Sequence, residues 1–118
     1  DCLLIRTGFS RYRQSDPELY SARGPALASD AAQYVLHSFP TLKAIGTDCI
    51  SIASPAMIDE AIATHRILCG YNNPTKSLII LEDFRLDFDL SGLKRVYALP
   101  LFLKGAEGSP CTIVAEVE

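Results

Sequence analysis

Short unbroken apolar runs alternate along this chain with segments whose apolar residues recur three and four positions apart. The first run, Cys2 to Ile5, is closed by Arg6-Thr7-Gly8 and predicts a strand buried on both faces. From Ser10 to Pro25 polar residues dominate, and Asp16-Pro17 and Gly24-Pro25 punctuate a segment that reads as a loop. Ser29 is then placed to cap a helix running through His37. Its narrow stripe is Ala32, Val35 and Leu36, and Pro40 ends the pattern.

A second apolar run, Leu42 to Gly46, stops just before Asp48 and predicts a second strand. Ser54-Pro55 signals a helix start, because serine caps and proline suits the first helical position. The helix should reach about Cys69, with Ile58, Ala61, Ile62, His65, Leu68 and Cys69 on its core-facing stripe. Tyr71-Asn72-Asn73-Pro74 breaks the chain before a third run, Leu78 to Leu81, closed by Glu82 and Asp83. Strand, helix, strand, helix, strand implies crossovers and a parallel sheet. Val96 to Leu103 and Cys111 to Val117 flank the turn-forming Gly105 to Pro110 and read as an antiparallel hairpin. The predicted fold class is α/β: a βαβαβ parallel sheet followed by a C-terminal hairpin.

Composition narrows the partners. With 118 residues, 48% hydrophobic and 21% charged, the chain is an ordinary globular sequence and short for two domains. Lysines and arginines are scattered and the net charge is −3, so no basic footprint for nucleic acid or an anionic membrane surface exists. No apolar run approaches the roughly 20 residues of a membrane helix, and a cytoplasmic protein is expected. Cys2, Cys49, Cys69 and Cys111 are far apart, form no Cys-x-x-Cys pair and are expected to be small buried hydrophobes. The chain begins at Asp1 without a methionine, and an upstream portion is expected.

Candidate chemistry gathers where the strands end. In open parallel sheets the crevice lies outside the strand carboxyl ends, and Arg6, Asp48 and Glu82 each follow such a strand. His65 is either a core histidine satisfied by one hydrogen bond or, beside a carboxylate such as Glu82, a metal ligand. Imidazole with carboxylate suits Zn, Mn or Fe, but a catalytic zinc normally takes three protein ligands. His37, near a helix end, complements the dipole there. The sequence holds no Gly-x-Ser-x-Gly elbow, no Gly-x-x-x-x-Gly-Lys and no Gly-x-Gly-x-x-Gly.

The order Leu3-Leu4-Ile5-Arg6-Thr7-Gly8, Lys43-Ala44-Ile45-Gly46-Thr47-Asp48, His65-Arg66-Ile67-Leu68, Ile79-Ile80-Leu81-Glu82, Pro100-Leu101 and Gly108-Ser109-Pro110 resembles the C-terminal half of the metal-dependent cyclase family. That family includes bacterial kynurenine formamidases and isatin hydrolases. The resemblance implies that residues 1–118 are the C-terminal portion of a single swivelling β/β/α domain. It further implies hydrolysis of a small amide or lactam, with one or two divalent ions, Zn or Mn, activating water in a homo-oligomer.

In the family, ligands come from an upstream His-x-Gly-Thr-His-x-Asp-x-Pro motif and from a later His and Glu. The later pair falls on His65 and Glu82, and Arg6 and Asp48 match recurrent positions that support the pocket. The upstream motif is absent from these residues, so the segment alone is expected to be inactive. The stretch between His65 and Glu82 is longer than the pattern, with Asn72 to Lys76 as an insertion. Two other readings stay open: a non-catalytic remnant serving oligomerisation or ligand binding, and a generic small-molecule-binding α/β domain.

Overall fold

The computed structural model describes every residue except Asn72 and Pro74. The break expected at Tyr71 to Pro74 and the insertion expected from Asn72 to Lys76 therefore lie partly outside the described residues. Two compact units follow one another along the chain, Asp1–Asp87 and Phe88–Glu118.

In the first unit, strands β1 (Cys2–Ile5), β2 (Ala44–Thr47) and β3 (Ile79–Leu81) form a parallel sheet in the order β1-β2-β3. Leu3 pairs with Ile45 and Ile45 with Ile80, so the three carboxyl ends lie side by side. Helices α3 (Ser29–Ser38) and α4 (Ile58–Leu68) are the two crossovers and pack on each other. Ala32 and Val35 of α3, Ala61 and Leu68 of α4, and Ile45 of β2 share one buried cluster with Leu42, Ile52, Ala53 and Leu78. Side chains alternate along a strand, so Ile45 facing this cluster turns Gly46 to the opposite face. There the Phe84 ring fills the space a Cβ at Gly46 would need.

Complete burial, expected of all three apolar runs, is approached only in the central strand, where Ile45, Gly46 and Thr47 are buried. Ile79 is 64% exposed and Cys2 is also exposed, because β1 and β3 are the edges of this three-stranded sheet. The expected loop from Ser10 to Pro25 is largely helical: a 3-10 turn (Phe9–Arg11) leads into α1 (Tyr12–Ser15) and α2 (Pro17–Ala22). Asp16 caps α2 by accepting from Leu19 N at 3.0 Å, and Pro17 occupies the first turn, where its missing N–H costs nothing. Asp-Pro is thus a helix start rather than a loop marker.

Both long helices begin differently from the sequence pattern. Ser54-Pro55 opens a turn closed by Met57 N donating to Ser54 O at 3.1 Å, and α4 itself starts at Ile58. Its buried face is Ala61, Thr64 and Leu68: Ala61 and Leu68 lie on the expected stripe, Thr64 takes the place of its neighbour His65, and Ile58 is 63% exposed. At its end Gly70, with φ of 74°, takes the left-handed conformation while Tyr71 N reaches back to Arg66 O.

Ser29 does not cap α3 with its side chain; its amide instead donates to Glu60 Oε1 at 2.6 Å, so a carboxylate from α4 serves the terminus. The amide hydrogen bond from Ser29 holds the half-buried Glu60 carboxyl below its usual range. Its stabilising effect is therefore present at neutral pH and disappears as pH falls through that lowered value. Glu60→Gln should lower the melting temperature at neutral pH and accelerate hydrogen exchange at the Ser29 amide. Unchanged exchange there would show that the terminus does not depend on Glu60.

In the second unit, β4 (Leu93–Pro100) and β5 (Cys111–Val117) form the expected antiparallel hairpin, paired from Leu93 with Val117 to Pro100 with Cys111. Its first strand begins three residues earlier than the apolar run and ends at Pro100. Among the described residues no disulfide forms and, contrary to the expectation, only Cys49 is fully buried; Cys2 and Cys69 are exposed. Cys2 opens an edge strand and Cys69 follows the last turn of α4, so neither reaches the core. Among the described residues no helix is long and apolar enough to cross a membrane.

Candidate functional site

The carboxyl ends of the three parallel strands deliver Arg6, Asp48 and Glu82 to one edge of the sheet, and α4 brings His65 to the same edge. His65 Nε2 lies 3.4 Å from Glu82 Oε1, and both side chains are about one-third exposed (38% and 31%). His65 is thus a border residue of α4, not a member of its buried face. It sits one position past Thr64, which points into the interior.

The ring orientation fixes the tautomer. His65 Nδ1 is 2.8 Å from the Ala61 carbonyl one helical turn back, and a carbonyl only accepts, so Nδ1 carries the proton. In the neutral ring Nε2 then turns its lone pair toward the Glu82 carboxylate. Two acceptors at this separation repel unless a proton or a cation lies between them.

Glu82 is itself held. Its Oε1 accepts from Ile52 N at 2.7 Å and from Ser51 Oγ at 3.1 Å, which ties the carboxylate to the segment after β2. Ser51 and the Ile52 amide carry no sequence motif and were not foreseen. They are found only once β2 and β3 lie side by side.

Asp48 has a different place. Its side chain is almost fully buried, and Oδ1 accepts from Thr7 N at 2.8 Å and Thr7 Oγ1 at 2.7 Å. Oδ2 accepts from Gly8 N at 2.8 Å and Ser10 Oγ at 3.3 Å. The carboxylate therefore braces the turn after β1 from the end of β2. Burial pushes its carboxyl up, but hydrogen bonds from the Thr7 hydroxyl and the Thr7 and Gly8 amides outweigh burial and hold it below the usual range. Arg6 is exposed and donates through Nη1 to the Leu86 carbonyl at 3.3 Å, fastening the segment after Glu82 to the end of β1. His37 is exposed in the last turn of α3 and does not join this edge.

Behind Glu82 stands a second group that the sequence did not single out. Asp83 adopts φ of 61°, a left-handed conformation unusual for a side-chain-bearing residue. Arg13 donates to its carbonyl at 2.7 Å and pairs with its carboxylate at 2.6 Å, and the Tyr20 hydroxyl donates to the same carboxylate. Burial first, then the hydrogen bond to Asp83 and its charge, push the Tyr20 phenol well above the usual tyrosine range. Tyr20 is a donor throughout the physiological range.

The donor set can be compared with what a divalent ion needs. Donors about 2 Å from a tetrahedral ion stand roughly 3.3 Å apart, close to the observed Nε2–Oε1 spacing. A ligating imidazole also characteristically donates its other N–H to a backbone carbonyl or carboxylate, as His65 does to Ala61. The pair fits such an ion in kind but not in number. Among the described residues no group of three His, Cys, Asp or Glu converges on one point.

These features define an α/β chain with a histidine–carboxylate pair at the carboxyl edge of a parallel sheet. Comparison with known proteins adds its kinship. Over 81 residues, 69% of this chain, it is 32% identical to "Cyclase-like protein 3" of Oryza sativa subsp. japonica and 35% identical to "Cyclase-like protein 2" of Arabidopsis thaliana. Against "Cyclase-like protein 1" of Oryza sativa subsp. japonica it is 29% identical over 111 residues, 90% of this chain. The chain is similar to these cyclase-like proteins, in line with the resemblance carried by the ordered motifs from Leu3 to Pro110. It spans 27% of the length of the first two relatives and 38% of the third. No family model matches the chain, and no solved structure matches it.

Proposed function

We propose that this chain contributes part of the active site of a metal-dependent hydrolase acting on a small amide or lactam. His65 and Glu82 would be two ligands of a divalent ion, Zn or Mn. The observation that carries the reading is the His65 Nε2–Glu82 Oε1 pair at the carboxyl edge of the sheet, in a chain similar to cyclase-like proteins. Such an ion, when bound, polarises a carbonyl and lowers the pKa of water.

The chain's own residues prepare the site. Ala61 O holds the imidazole in the tautomer that frees Nε2, while Ile52 N and Ser51 Oγ hold the carboxylate. Asp48 and Arg6 support the pocket by bracing the loops on either side. The proposal places the protein in the cytoplasm as a homo-oligomer, with a small-molecule substrate and no nucleic-acid or membrane partner. The scattered basic residues and cysteines that form no disulfide among the described residues support that setting.

Two ligands are fewer than the three of an open catalytic site, so this chain alone should bind Zn or Mn weakly and show no amidase turnover. Tight one-to-one binding in a calorimetric titration with Zn would show that further ligands exist here. In the whole protein, His65→Ala and Glu82→Gln should each abolish turnover and lower metal content while leaving the fold largely intact. Metal analysis with thermal unfolding checks this, and full metal occupancy in both variants would end the ligand assignment.

A further inference from the structure

We infer that Tyr20 and Arg13 are positioning residues that set the Glu82 carboxylate by locking the backbone of Asp83. The inference rests on reading Glu82 as the site carboxylate.

Glu82 directly follows β3. On its N-terminal side the backbone is fixed by sheet pairing, Leu81 standing in register with Gly46. On its C-terminal side is Asp83, whose φ of 61° lies where L side chains rarely settle. A residue stays in that region only when its surroundings over-determine it. They do so here at three of its groups. The Asp83 amide donates to Cys49 O at 2.8 Å, its carbonyl accepts from Arg13 Nη2 at 2.7 Å, and its carboxylate takes Arg13 and the Tyr20 hydroxyl together.

Tyr20 is only 4% exposed, and its hydroxyl lies 3.2 Å from the Asp48 carbonyl as well as against Asp83. The single hydroxyl proton goes to the nearer acceptor, Asp83. Arg13 Nη2 donates to the Tyr20 hydroxyl oxygen at 3.2 Å and lies over the phenol ring, its guanidinium carbon 5.3 Å from the centroid. The strand ends after β2 and β3 are thereby clasped by one element, the helical segment from 12 to 22.

Releasing the clasp would let Asp83 relax toward negative φ and carry Glu82 with it. The hydrogen bond from Ile52 N to Glu82 Oε1 and the approach of His65 Nε2 would give way first, since both depend on where residue 82 leaves the strand. A purely structural role for Tyr20 would weaken the fold without selecting these two interactions.

The test uses proton–nitrogen correlation spectra of the full chain without metal, with the Ile52 amide as the reporter of Glu82. In Tyr20→Phe the Ile52 amide should shift upfield and exchange about tenfold faster, as a charge-assisted hydrogen bond is lost. Arg13→Gln, a change at a partly exposed side chain that leaves the core alone, should move it the same way by less. Adding Asp83→Gly to Tyr20→Phe should return the Ile52 amide toward its original position, because glycine takes the left-handed conformation without steric cost.

An Ile52 amide unmoved in both single variants, with only the melting temperature lowered, would overturn the inference. Should Tyr20→Phe fail to fold, the Arg13→Gln spectrum alone decides. Titrating Zn into the unsubstituted chain while following His65 and Glu82 resonances separates this idea from the metal reading. Loss of the metal reading leaves the Ile52 result standing, and loss of the Ile52 result leaves the metal reading standing.

Discussion

Asp48→Ala should lower the unfolding free energy of the first unit by about 3 kcal/mol or more, as read from urea melts at neutral pH. The carboxylate accepts from two backbone amides and two hydroxyls of the segment 7–10. Removing it strands the Thr7 and Gly8 amides against a new void, and each unsatisfied donor costs about 1–3 kcal/mol. Asp48→Asn keeps the volume but turns an amide group toward existing donors, so it should also destabilise, by less. The pH dependence has a definite sign. The folded-state pKa is depressed, so Asp48 contributes fully above the unfolded value of about 3.9 and its contribution fades as pH falls through the lower folded value. The gap between the original protein and Asp48→Asn should therefore be constant from neutral pH to about 5 and narrow below about 4. A gap unchanged down to pH of about 2 would remove the carboxylate from the explanation.

Gly46→Val should cost about 2–3 kcal/mol, although valine is a better strand former than glycine. A Cβ at this position meets the Phe84 ring at 2.8 and 2.9 Å and Leu4 Cδ2 at 3.1 Å, in the middle strand of the sheet. Leu4 is on the paired strand β1, and Phe84 sits two residues beyond Glu82. The clash should therefore spread toward the candidate site rather than outward to solvent. Shortening the ring with Phe84→Leu should recover part of the loss, and a double-mutant cycle should give a coupling of at least about 1 kcal/mol. Additive effects would mean that the Phe84 ring does not lie against Gly46.

Where a feature depended on local pattern, the sequence was readable. The three apolar runs are the three parallel strands, and the glycine-rich turn does join an antiparallel hairpin. His65 and Glu82, singled out in the sequence as a possible pair, stand 3.4 Å apart. Features that depend on which surface meets which were not readable. On α4, Ala61 and Leu68 are buried as the stripe predicted, but Thr64 rather than His65 faces the core, and a threonine whose hydroxyl donates to Leu27 O is buried without offending any apolar rule. The α3 cap comes from Glu60, thirty-one positions later in the chain. Asp16-Pro17 is the exception: its capping signal was local, and only the polar surroundings disguised it. Tyr20, Arg13 and Asp83 have no shared spacing at all and converge only through the fold.

The order of the parallel sheet also bears on how the chain reaches it. Cys2 pairs with Ala44 and Ala44 with Ile79, so each rung joins positions about 35–42 residues apart. A hairpin can zip from its turn, whereas these strands must wait for long intervening segments to close, and each such closure is entropically unfavourable before any pairing offsets it. The β4–β5 hairpin should therefore form on a microsecond scale, while the parallel sheet forms last and sets the observed refolding rate.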